Sequence, residues 1–206
     1  MKIIDLTYPI YQGMFKFWGD WHCAVEVEPT ALYDRDRCSV HKLVLATHTG
    51  THVDAPRHFF AEGMPIDRVA LDRLVTDAVV YHLRDKGPQS RITLADVDLE
   101  RIAPGETALL NTGWYRHWDG DFYQDFPVMD EEVAQAFVDR GAAALAVDIP
   151  LMPVVHGIVL GAGRLLIENL TNLDEITTER VQLIALPLKF RDGDGAPARV
   201  VAVQRG

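Results

Sequence analysis

The chain has 206 residues, 48% of them hydrophobic and 24% charged, the balance of an ordinary globular domain and not of a disordered segment. Lys and Arg number 20 against 30 Asp and Glu, a formal charge of −10, which repels phosphate backbones and anionic lipid and speaks against nucleic-acid and polybasic membrane binding. Two cysteines, Cys23 and Cys38, are too few for a disulfide framework or a thiolate zinc cage.

At this length one domain spanning 1–206 is expected, with a core that needs no covalent staple. The opening Met1-Lys2-Ile3-Ile4-Asp5 lacks a leader's apolar run, and no segment reaches the roughly 18 apolar residues of a membrane span. A cytoplasmic location is the expectation. In chain order, short β-rich apolar segments bounded by Gly, Pro, Asp or Asn predict strands at 3–10, 23–27, 40–47, 78–83, 108–111, 143–149, 181–188 and 199–203. Helical spacing predicts helices at 66–74, at 93–102 behind a Thr93/Asp96 capping box, and at 130–140 before Gly141. A fourth helix over 156–166 is weakened by Gly157, Gly161 and Gly163. Strands interleaved with few helices make a compact α/β domain.

The stretch His48-Thr-Gly-Thr-His52-Val-Asp54-Ala-Pro-Arg-His58 packs three imidazoles and one carboxylate into eleven residues. Borderline divalent metals prefer that ligand chemistry. All four numbers are even, so on extended backbone the side chains project to one side. Gly50 and Pro56 argue against the helical alternative for His48 and His52. More polar residues interrupt apolar runs: Asp148, His156 and Glu168. A buried ionisable group needs a partner or a metal, and a hydrogen-bonded structural role satisfies the same need.

Other signals are weaker. Neither Ser39 nor Ser90 lies in a nucleophile elbow. Cys38-Ser-Val-His41 reads as core-type Cys, and the glycines after His156 lack the Lys-Ser/Thr of a phosphate loop. Trp114, Trp118, Phe122 and Tyr123 are an aromatic cluster for a pocket or for the core. His22, His82 and His117 have no supporting pattern.

The first motif resembles the H-x-G-T-H-x-D-x-P-x-H signature of the metal-dependent cyclase-like hydrolases, which include bacterial kynurenine formamidases (arylformamidases) and isatin hydrolases. The likeness runs over nearly the whole chain. Ile4-Asp5-Leu6-Thr7-Tyr8-Pro9-Ile10 resembles the opening strand and Asn111-Thr112-Gly113-Trp114 a central strand end. His156, followed by Glu168-Asn-Leu-Thr-Asn-Leu, resembles a second ligand pair, and Leu186-Pro-Leu-Lys-Phe with Asp194-Gly-Ala-Pro-Ala-Arg-Val the closing strands.

The resemblance implies a swivelling β/β/α fold assembled as a homodimer or homotetramer. It implies His48, His52 and Asp54 on one divalent metal, with Asp54 bridging to a second held by His156 and with Glu168 touching both. Zn²⁺ is the first expectation for the metal and Mn²⁺ the alternative. His58 becomes the acid/base residue, and Asp148 keeps a structural role. Two departures concern the substrate side. Phe15-Lys16-Phe17-Trp18-Gly19-Asp20 has Trp18 where the family has Pro, so Phe17 aligns with the substrate-stacking aromatic and Trp18 joins the wall. The segment between Asp148 and His156 is shorter than usual and lacks a Ser-x-Asp. The implied activity is hydrolysis of the C–N bond of a small-molecule amide, an N-formyl aryl amide such as N-formylkynurenine. Hydrolysis or closure of a lactone or lactam ring is the alternative chemistry, and metal-dependent binding of an aromatic acid without turnover is the contrasting class.

Overall fold

The structure is a computed structural model describing residues 1–84, 86–120 and 123–205. Its strands are β1 (Lys2–Asp5), β2 (Glu26–Ala31), β3 (Val40–Val44), β4 (His52–Asp54), β5 (Val75–His82), β6 (Arg91–Ile92), β7 (Thr107–Asn111), β8 (Val128–Met129), β9 (Ala144–Val147), β10 (Leu165–Glu168), β11 (Arg180–Pro187) and β12 (Gly195–Gln204). The helices are α1 (Tyr33–Asp36), α2 (Glu131–Asp139) and α3 (Pro153–Gly161). One eight-stranded sheet runs β1-β12-β11-β5-β7-β9-β10-β4, and β4 pairs with β12 as well. That second pairing closes the sheet into a barrel, with β1 outside the ring and the three residues of β4 as the seam. Strands β5, β7, β9 and β10 run parallel, whereas β4, β11 and β12 join antiparallel.

Both sheet faces are covered, and strand alternation divides the residues between two cores. Ala78 and Val80 of β5, and Ala144 and Ala146 of β9, enter the barrel interior. Val79, Tyr81, Leu145 and Val147 face outward into a second core with Phe137 of α2 and Val155 and Val159 of α3. The interior mixes alanines such as Ala185, Ala196 and Ala202 with larger residues such as Leu109, Leu165, Ile167 and Leu183, as the side chains that fill a small barrel do. The β2–β3 hairpin stands apart as a two-stranded sheet with no fully buried residue. Among the described residues no helix is long and apolar enough to cross a membrane.

Several local expectations change. The segment at 66–74 forms two single 3-10 turns, Ile66–Arg68 and Leu71–Arg73, because Val69 and Ala70 are extended between them. The capping box at Thr93 is present, yet it starts a 3-10 turn, and Asp98 caps a second one by accepting the Glu100 N–H. Side chains that bond the nearby backbone compete with helix propagation in this way. The fourth helix starts earlier, at Pro153, and ends at Gly161; Gly163 adopts φ +71° and the chain then enters β10.

Candidate functional site

Strand β4 sets the site. Val53 points into the barrel core, so alternation sends His52 and Asp54 to the opposite face. Across the β4–β10 pair His52 lies opposite Glu168 and Asp54 opposite Leu166, so Glu168 shares that face. Helix α3 packs alongside and contributes His156. His48 and His58 arrive by turns and not by strand alternation, which corrects the extended-chain expectation for the four even positions. Gly50 at φ +60° bends the chain after His48, and Pro56 starts a 3-10 turn that carries His58.

The polar groups converge on Asp54, which is fully buried. Its Oδ1 lies 2.6 Å from His48 Nδ1 and 3.2 Å from His52 Nε2. Its Oδ2 lies 3.4 Å from His156 Nε2 and has no hydrogen-bond partner. Glu168 reaches both sides, with Oε1 3.2 Å from His156 Nε2 and Oε2 3.9 Å from His52 Nε2. Oε1 also accepts the Leu151 N–H at 3.1 Å. Among the described residues two triads have ligand atoms close enough for one ion: His48, Asp54 and His58, and His52, Asp54 and Glu168. The structure thus sets His48 beside His58 as well as beside Asp54.

Burial alone would lower the pKa of His48 and of His156. The Asp54 and Asp194 carboxylates override it at His48 and push that ring up to about 10. Glu168 and Asp54 push His156 up to about 11. Burial would raise Asp54, but His52, His48 and His156 outweigh it and hold its carboxyl well below the usual range. Two buried carboxylates amid three imidazoles, one carboxylate oxygen left without a partner, is a donor set that fits a divalent cation.

Above this cluster opens a cavity of about 150 Å³ walled by aromatic residues, among them Phe15, Phe17, Trp21, Phe59 and Trp118, with His58 and His156 at its polar end. An apolar void of roughly this size accommodates one benzene ring. Phe17 is in the wall. Trp18 does not line it, but packs on Phe17 at a ring distance of 4.6 Å and stacks on Phe126 at 6.4 Å, while Trp21, 6.0 Å from Phe17, is in the wall. Trp118 lines the cavity and stacks on Tyr8 at 4.0 Å. Trp114 and Tyr123 belong to the core, while Phe122 lies outside the described residues. Asp148 anchors the turn after β7, its Oδ1 accepting the Thr112 N–H and hydroxyl at 3.0 and 2.8 Å.

Sequence reasoning missed two residues here. His22 is buried at the wall with Nε2 3.1 Å from the His48 carbonyl. Asp194 places Oδ2 2.7 Å from His48 Nε2 and 3.7 Å from His58 Nδ1. An Asp between two glycines reads as a turn, and only the β4–β12 pairing reveals its neighbours.

Residues 4–152 match the family model described as "Putative cyclase". A kynurenine formamidase of Salinibacter ruber is 30% identical over 98% of this chain and 97% of its own length. Isatin hydrolase A of Labrenzia aggregata, solved with benzyl benzoate, has a TM-score of 0.88 at 22% identity, covering 99% of this chain and 94% of that one. A Bacillus stearothermophilus structure described as a predicted metal-dependent hydrolase is 27% identical with a TM-score of 0.82, over 98% of this chain and 97% of that one. By the family match and the full-length relative together, the chain belongs to the cyclase family of metal-dependent hydrolases.

Proposed function

We propose that this chain hydrolyses the C–N bond of a small aromatic amide, an N-formyl aryl amide of the N-formylkynurenine kind, with the help of divalent metal. The observation that carries the reading is the division of Asp54: one oxygen faces His48 and His52, and the other, unpartnered, faces His156. On this reading His48, His52 and Asp54 would hold one ion, and Asp54 and His156 a second, with Glu168 touching both. Zn²⁺ suits the mixed imidazole and carboxylate set, with Mn²⁺ as the alternative. A metal held there would supply Lewis acidity, which would acidify water and polarise a carbonyl oxygen.

The protein's own groups do the rest. Phe17, Phe59 and Trp118 stack on the aryl ring and keep bulk water from it. His58, at the boundary between the wall and the polar cluster, takes a proton from the attacking water and returns it to the leaving nitrogen as the C–N bond breaks. The products are formate and an aryl amine. The two cysteines are free thiols, which fits a reducing compartment such as the cytoplasm. A homodimer or homotetramer fits the β2–β3 hairpin and the turn within it, where Leu32, Tyr33, Val40 and Leu43 are exposed, since a lone two-stranded sheet is marginal in water.

The test is a substrate panel of formyl-anilides, isatin, lactones and lactams, each run with and without chelator. Chelator-sensitive formation of aryl amine supports the reading. Opening of the cyclic substrates alone moves the assignment to ring hydrolysis. Saturable binding of aromatic acids with no product makes the chain a binding module.

A further inference from the structure

We propose that Asp194 is a positioning residue shared by His48 and His58, its carboxylate setting the ring orientation of a metal ligand and of the proton carrier together. This rests on the metal-dependent reading above.

The three candidate ligand histidines each have an outer ring nitrogen turned away from Asp54 or Glu168. In His52 that nitrogen, Nδ1, donates to the Gly50 carbonyl at 2.8 Å, and in His156 Nδ1 donates to the Met152 carbonyl at 3.1 Å. In His48 the outer nitrogen is Nε2, and it donates to Asp194 Oδ2 at 2.7 Å. A carbonyl fixes the tautomer and the plane of a ligating imidazole; a carboxylate does so and also makes the ring a stronger donor. His48 is therefore the ring whose affinity for a cation is set by a charged neighbour.

The chain around Asp194 is shaped to this contact. The Asp194 carbonyl accepts the Ala55 N–H at 3.0 Å, and the Gly193 carbonyl accepts the Ile66 N–H at 2.9 Å. The Thr47 hydroxyl donates to the same Oδ2 at 3.2 Å. Gly195 is the Cα partner of Asp54, and a Cβ there would lie 2.8 Å from His48 Cε1 and 2.7 Å from the Val53 carbonyl oxygen. The His48 ring thus packs on bare backbone next to the residue that holds it. His58 packs against the His48 ring and lies near the same carboxylate. Its ring is 3.8 Å from that of His48 at 31°, with Nδ1 3.7 Å from Asp194 Oδ2. Turning Nδ1 toward Asp194 leaves Nε2 of His58 as the atom that exchanges the proton.

Asp194→Asn keeps the shape and one acceptor but removes the charge. Zn²⁺ affinity of metal-stripped protein, measured by competition with a chromophoric chelator, is expected to fall about 10–100-fold, the usual cost of losing such a partner. In the Zn²⁺-loaded variant kcat falls while KM is unchanged, and Asp194→Glu recovers part of both losses. Asp192→Asn, whose carboxylate pairs with Arg68 3.3 Å away and outside the site, leaves affinity and kcat as in wild type. In Zn²⁺-loaded wild type, ¹⁵N spectra should show His48 protonated at Nε2. Affinity within about two-fold of wild type in Asp194→Asn, or a His48 ring protonated at Nδ1, overturns the role of Asp194. Wild-type protein that takes up no Zn²⁺ overturns the hydrolase reading instead.

Discussion

His52 and Glu168 are Cα partners across the antiparallel pair of β4 with β10. Sheet register, and not a loop, therefore brings an imidazole from the first motif to a carboxylate far along the chain. On its other edge β4 pairs with β12, which puts Gly195 opposite Asp54 and Asp194 beside His48. A one-residue slip of β4 would turn His52 and Asp54 into the apolar barrel, so one short strand fixes the whole site.

Asp54 is the residue on which both proposed ion sites depend. Asp54→Asn removes the charge between the His48/His52 side and the His156 side, so at least one metal per chain should be lost. Glu168→Gln keeps its acceptor for the Leu151 N–H and should weaken chiefly the His156 side. Metal analysis of both variants after gel filtration checks the ranking. Equal retention in Asp54→Asn and wild type contradicts it.

His58→Asn separates proton transfer from ligation. The expected result is near-normal metal content with kcat lowered by about 10²–10⁴, the usual contribution of a positioned acid/base. His58 also completes a triad with His48 and Asp54, so metal loss as complete as in Asp54→Asn would make it a ligand.

The aromatic wall predicts a contrast between neighbours. Phe17→Ala should raise KM about ten-fold, a loss of ~1.4 kcal/mol of binding, with metal content unchanged. Trp18 packs on Phe17 at 4.6 Å without lining the cavity, so Trp18→Ala should raise KM less than Phe17→Ala does. Steady-state kinetics on one N-formyl anilide decides the point.

Metal binding should release protons. In the metal-free protein His48 and His156 are pushed up to about 10 and about 11, so both rings are charged at neutral pH. Ligation needs neutral imidazole, so Zn²⁺ uptake near neutral pH should expel on the order of two protons, and affinity should rise with pH. The stabilisation these ion pairs give the metal-free protein is complete below the unfolded histidine pKa of roughly 6.5. It is lost as pH rises through the folded values. Calorimetric titrations in buffers of different ionisation enthalpy count the protons; no buffer dependence contradicts the prediction.

The parts of this molecule written in local pattern were legible in the sequence. The β-branched and Ala-rich runs at 78–83 and 108–111 are strands, and the amphipathic segment before Gly141 is α2. Strand β4 was hidden because two of its three residues are polar, which alternation reads as a motif before it reads as a strand. Strand β10 was masked by the apolar run continuing from α3, since a short apolar segment has no period of its own. The histidine motif, with His156 and Glu168, marks the site's composition without its geometry. Asp194 gave no signal because its role depends on tertiary pairing. Trp18 lies beside Phe17 at a ring distance of 4.6 Å but does not line the cavity, a distinction of side-chain direction that neighbouring positions in a sequence do not carry.

The most direct test of the central claim is turnover of an N-formyl anilide by protein purified without chelator, followed through one cycle of metal removal and return. The account predicts bound divalent metal, formate and aniline as products, loss of activity with the metal, and recovery on adding Zn²⁺ or Mn²⁺. Undiminished turnover in fully metal-free protein would contradict it.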